Sequence, residues 1–92
     1  MENDDPVVLP IDGTLDLHAF RAKDVQSVVS EYVTAAQATG LREIRIVHGR
    51  GTGVLRGLVQ LTLERHALVE TFWDDGDAHL GATWARLIGR TG

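Results

Sequence analysis

The stretch IRIVHGRGTGVLRGLV, from Ile44 to Val59, decides how the chain folds. Ile44, Ile46 and Val47 form a short apolar run of the strand type, and glycine then falls at every second position, 49, 51 and 53. Leu55, Leu58, Val59 and Thr62 follow at helical spacing, with Val54 and Leu61 beside them, and the pattern ends near His66. Thr52 is placed to cap that helix. A strand that passes through a glycine loop into a helix is the seed of an α/β unit.

Both flanks extend the pattern. Upstream, TLDLH (Thr14–His18) alternates, with Leu15 and Leu17 on one face and Asp16 and His18 on the other, as in a half-buried strand. Between Ala22 and Thr39 the positions Val25, Val28, Val29, Tyr32, Val33 and Ala36 form one helical stripe, and Gly40 is the stop. The stretch HAFRAK (18–23) offers no Ser, Thr or Asn to cap its start before Asp24. Downstream, ALVETFW (67–73) predicts a third strand, residues 73–77 a turn, and ATWARLI (82–88) a fourth strand. The order β-α-β-α-β-β implies an α/β sheet that starts parallel and closes with a hairpin. A helical crossover makes the first two strands parallel, so His18 and His48 end neighbouring strands at one edge of the sheet, where open α/β sheets place ligands.

Ninety-two residues, 43% hydrophobic and 24% charged, suit one globular domain. The chain divides into an acidic arm with two prolines over residues 1–12 and a domain over 13–90. It has no cysteine, so disulfides, Cys-based zinc sites and thiol nucleophiles are excluded. The opening MENDD is the wrong start for a secretory signal, and no apolar run is long enough to span a membrane; a cytoplasmic protein is expected, with no membrane partner. The net charge of −4 argues against a polyanion ligand, yet Arg42, Arg45, Arg50 and Arg56 face only Glu43 within their stretch.

Four groups of residues carry the candidate chemistry. Asp16 and His18 share a strand face and can pair, the carboxylate fixing the imidazole tautomer; a plain solvated face is the alternative. The loop from His48 through Gly49, Arg50, Gly51 and Thr52 leads into a helix N-terminus, which suits an anion, or else makes a tight turn. It is neither a phosphate-binding loop of the G-K-[ST] type nor a dinucleotide fingerprint. Trp84 alternates with Arg86 and is a candidate stacking platform for a base, or else a core residue. His18, His48, His66 and His79 lack zinc-ligand spacing, and His66 is read as a helix cap; Asp16 alone offers a carboxylate to a divalent cation such as Mg²⁺.

In order and spacing, LDLH (15–18), HGRG (48–51) and GAT (81–83) resemble the motifs of the Smr (small MutS-related) domain family, over about Leu15 to Leu87. The resemblance implies a two-layer sandwich, a mixed four-stranded sheet with two helices, similar to the C-terminal domain of bacterial translation initiation factor three. It implies DNA or RNA as partner and, in many members, nicking endonuclease activity. Asp16 and His18 then match the pair linked with cleavage, and His48, Gly49, Arg50 and Gly51 the loop linked with substrate binding and activity; His48 is a further candidate for proton transfer, and Thr52, Arg45 and Trp84 join as candidate contacts. A non-catalytic nucleic-acid or protein-interaction module is the alternative. Ala19 stands where the family has glycine, which strains the backbone only if φ there is positive.

Overall fold

Residues 11–89 are described by a computed structural model. Of the acidic arm, only Ile11 and Asp12 fall within them, and the expected domain end at Arg90 lies outside. The elements run β1 (Thr14–Asp16), α1 (Ala22–Ala38), β2 (Glu43–Val47), α2 (Val54–Arg65), β3 (Val69–Asp74), a 3₁₀ turn (Gly76–Ala78) and β4 (Ala82–Leu87). The sheet order is β1-β2-β4-β3. β1 and β2 are parallel; β4 runs antiparallel to both β2 and β3. This is the mixed four-stranded sheet with two helices.

Helix α1 starts at Arg21 without a side-chain cap, as its sequence implied. Its end is sharper. Gly40 takes φ of +92°, its N–H donates to the Gln37 carbonyl, and the Leu41 N–H reaches back to the Ala36 carbonyl. That pair of bonds is the Schellman stop, and it turns the chain directly into β2. Strand β1 is shorter than TLDLH, although Leu17 still donates to the Val47 carbonyl. At the other end, β3 begins two residues later than expected and keeps Asp74 within the strand.

Alternation sorts the sheet into two faces. Leu15, Leu17, Ile44, Ile46, Ala85 and Leu87 are buried beneath Val25, Val29, Tyr32, Val33 and Ala36 of α1 and Val59 and Leu63 of α2. Both helices cover that one face. The residues between these, Asp16, Arg45, Trp84 and Arg86 among them, point to the uncovered face. No helix among the described residues is long and apolar enough to cross a membrane.

Candidate functional site

Two polar assemblies meet at one edge of the sheet. The first stands on the open face at the end of β1. The Oδ1 atom of Asp16 accepts the His18 N–H at 3.0 Å and sits 3.0 Å from His18 Nδ1. These bonds hold the Asp16 carboxyl below the usual carboxylate range, the backbone N–H first and the imidazole second. An ionised carboxylate only accepts, so Nδ1 carries the proton and Nε2 is left pointing outward. The side chains are 83% and 55% exposed for His18 and Asp16, so a large ligand reaches both. Ala19 has negative φ, since His79 and Leu80 are the only non-glycine residues with positive φ among those described. The departure from the family glycine therefore strains nothing.

The second assembly is the glycine loop. Gly49, Gly51 and Gly53 have φ of +79°, +39° and +90°, while Arg50 and Thr52 between them stay negative. Alternating signs of φ turn successive N–H groups toward one side, the arrangement that makes an anion-binding nest. Glycine at every second position is what this backbone requires. The expected Thr52 cap is displaced: Gly53 is the N-cap, with no side-chain cap bond and no acid in the first turn of α2. Among the described residues the N–H groups of Arg50, Gly51 and Thr52 have no protein acceptor. An open cleft of about 310 Å³ lies there, lined by Arg50, Gly51, Thr52, Arg56, His79 and Leu80.

His48 holds this loop from behind. Its Nδ1 lies 2.9 Å from the Gly49 carbonyl, which only accepts, so Nδ1 donates. Its Nε2 lies 2.9 Å from Thr83 Oγ1. The Thr83 hydroxyl in turn accepts from Gln60 Nε2 at 3.1 Å, and so gives its own proton to His48. Gln60 also donates to Asp74 at 3.1 Å, and Arg56 grips both oxygens of Asp74 at 2.8 and 2.7 Å. Thr83 is opposite Ile46, on the helix-covered side, and His48 is 6% exposed. His18 and His48 therefore share an edge but stand on opposite faces. The sequence placed them together; the pleat separates them, and both nitrogens of His48 are consumed in positioning.

Gly81 completes the loop's support, its carbonyl accepting from both His48 and Gly49 N–H. A Cβ there would come within 2.9 Å of the Ala78 carbonyl oxygen, closer than packed atoms tolerate, so the glycine of GAT is a matter of space.

The basic stretch is largely spent inside the molecule. Arg42 donates to the Leu87 carbonyl, Arg45 pairs with Asp75 at 2.6 Å, and Arg56 with Asp74. Of the four arginines, Arg50 alone has no partner among the described residues. His66 is the C-cap residue of α2, its backbone N–H donating to the Leu63 carbonyl; its Nδ1 accepts the Leu68 N–H, and its Nε2 faces the Ser30 carbonyl at 3.2 Å, tying α2 to α1. No three His, Asp or Glu side chains among the described residues gather as a metal site.

Sequence reading missed Asp74, Gln60 and Thr83 as a network, and Trp73 as a neighbour of Trp84. The alternation of Phe72 inward and Trp73 outward was the available signal for the latter.

The ion pairs have a pH consequence. Arg56 holds the Asp74 carboxyl low, and Arg45 does so for Asp75, with the Trp84 indole adding to the latter. Depressed folded values stabilise the fold above the unfolded carboxyl value of about 3.9, and that stability is lost as pH falls through the folded values. Thermal unfolding is expected to be flat from pH 7 to about 5 and to drop steeply below about 4. Asp74→Asn should begin lower at pH 7 and lose less on acidification. A parallel decline of variant and wild type would show that Asp74 carries no part of the acid limb.

A family model described as the Smr domain matches residues 15–87. Endonuclease MutS2 of Caldicellulosiruptor saccharolyticus is 37% identical over 79 residues, 84% of this chain and 10% of that protein. Endonuclease MutS2 of Bacillus thuringiensis is 39% identical over 75 residues, 79% of this chain and 10% of its own. The chain thus spans about a tenth of the length of these curated relatives. The crystal structure of the Smr domain of Thermus thermophilus MutS2 superposes with a TM-score of 0.76 at 32% identity, covering 82% of this chain and 96% of that one. YdaL, a stand-alone small MutS-related protein from Escherichia coli, also gives 0.76, at 24% identity over 85% of this chain and 66% of its own, a likeness of fold.

Proposed function

The chain belongs to the Smr domain family, and from that premise we propose that it binds nucleic acid and cleaves a phosphodiester bond with Asp16 and His18. The observation that carries this reading is the exposed dyad: a carboxylate fixes Nδ1–H and leaves His18 Nε2 free to accept a proton. His18 takes the proton of the attacking hydroxyl as its oxygen bonds to phosphorus. The bond to the departing oxygen breaks, and that oxygen is protonated from solvent, which reaches the open face freely. Arg50 and the N–H groups of Arg50, Gly51 and Thr52 offset the charge that grows on the phosphoryl oxygens. His48 acts as a positioning residue for that loop rather than as a proton carrier. Arg45, held by Asp75, and Trp84 flank the same path on the open face.

A divalent cation such as Mg²⁺ would find one protein carboxylate here, Asp16, and draw its other ligands from substrate and water. The MutS2 relatives carry the word endonuclease in their names, and this chain corresponds to a small part of them. The test is a cleavage panel of supercoiled plasmid, linear duplex, single-stranded DNA and single-stranded RNA, with and without Mg²⁺. At least one form is expected to be cut by the wild type and left intact by Asp16→Asn. Binding without cleavage would leave a nucleic-acid-gripping module; neither binding nor cleavage would end the reading.

A further inference from the structure

Across the uncovered sheet face the strands align one row of side chains. Thr14 pairs with Arg45, Arg45 with Trp84, and Trp84 with Trp73. The two tryptophans are therefore direct cross-strand neighbours on the face that carries Asp16. Neither has a helix above it, and Trp73 is 38% exposed. Guanidinium groups frame the pair. Arg86 lies over the Trp73 ring at 5.6 Å and is anchored by Glu43 at 2.6 Å, while Arg45 is anchored by Asp75. Strands lie about 4.8 Å apart, so Trp84 stands roughly 10 Å across the sheet from β1, level with Thr14, two residues before Asp16.

We propose that the Trp73–Trp84 pair is a stacking platform for the unpaired bases of a single-stranded nucleic acid whose backbone runs toward Asp16 and His18. The inference rests on the phosphodiester reading of that dyad and names its substrate class. A base in a duplex is stacked on both sides and shows only its edges, so the face of an aromatic ring can take only an unpaired base. Aromatic side chains with guanidinium groups beside them are the combination that binds single strands independently of sequence. The face does not suit a second copy of the chain. Val47 and Ala82 share the face, but Thr14, Asp16, Glu43, Arg45, Thr71 and Arg86 make most of it polar or charged, and a stable dimer needs about 800 Å² per partner with an apolar centre.

The chain has two tryptophans in all, and both belong to this pair, so its fluorescence reports on this face alone. Titration with a thymidine oligonucleotide is expected to quench that fluorescence saturably, and a blunt duplex of equal length to leave it nearly unchanged. Trp73→Ala should weaken single-strand binding by about 5- to 150-fold, the loss of one base stack, while Trp73→Phe restores most of it. Far-ultraviolet circular dichroism of both variants should match the wild type. Equal quenching by duplex would overturn the proposal. So would binding and cleavage of nucleic acid with no change in fluorescence, an outcome that leaves the Asp16–His18 reading standing. Loss of all binding and cleavage in the wild type would remove both. Quenching that rises with protein concentration alone, with sedimentation as a dimer, would assign the face to a second copy and overturn the proposal too.

Discussion

His18→Gln is expected to slow phosphodiester cleavage by about 10²- to 10⁴-fold, the usual contribution of a positioned general base. Glutamine keeps a hydrogen-bonding side chain of similar reach but cannot accept the proton of the attacking hydroxyl. Because the His18 side chain is 83% exposed and among the described residues hydrogen-bonds only to Asp16, its replacement should leave the unfolding midpoint within about 2–4 °C of the wild type. Binding should change little, since Arg50 and the loop N–H groups are untouched. The separation of these readouts is what makes the variant informative. Slower cleavage with unchanged stability and binding assigns the loss to chemistry. Cleavage at the wild-type rate would show that the activity lies elsewhere, in another group or a contaminating enzyme.

Ile46→Ala should produce the largest loss of stability, about 2–5 kcal/mol, and lower the midpoint by at least about 8 °C. Ile46 is fully buried on β2, with β1 and β4 on either side, and faces the helices. Its partners across the sheet are Leu15, which precedes Asp16, and Thr83, which holds His48. Removing three carbons there opens a cavity that the flanking strands cannot close without disturbing both assemblies. Native domains have only about 5–15 kcal/mol in total, so a small one has little to spare. Chemical denaturation monitored by circular dichroism measures the loss. A shift below about 0.5 kcal/mol, the range of surface changes, would show that this position is not packed as described.

How much of this was legible in the sequence differs between backbone and side chains. Elements and faces followed from periodicity because Leu15, Leu17, Ile44 and Ile46 alternate cleanly and Val25, Val29 and Val33 repeat at helical spacing. The Gly40 stop was readable for the same local reason. The glycine loop was readable as a special backbone, but its cap was misplaced. Thr52 is a good capping residue by type, yet the alternating φ pattern carries the helix start to Gly53, and composition does not encode the sign of φ. Long-range chemistry was less accessible. The chain from Arg56 through Asp74, Gln60 and Thr83 to His48 needs β4 to lie between β2 and β3, an order that no local pattern states. Sheet-edge reasoning brought His18 and His48 together but ignored the pleat, which sends Val47 to one side and His48 to the other. Similarly, Trp73 was read as the last residue of the third strand and the first of the turn, and the register that sets it opposite Trp84 is not stated by any local pattern.

The proposed working surface lies at the end of β1 and in the loop between β2 and α2. Its most direct test is the amide spectrum of the chain titrated with a short single-stranded oligonucleotide. Shifts are expected at Asp16–Ala19 and Gly49–Val54, with the outer face of α1 unmoved. Shifts confined to α1 and the outer face of α2, with His18 and Arg50 unchanged, would contradict it.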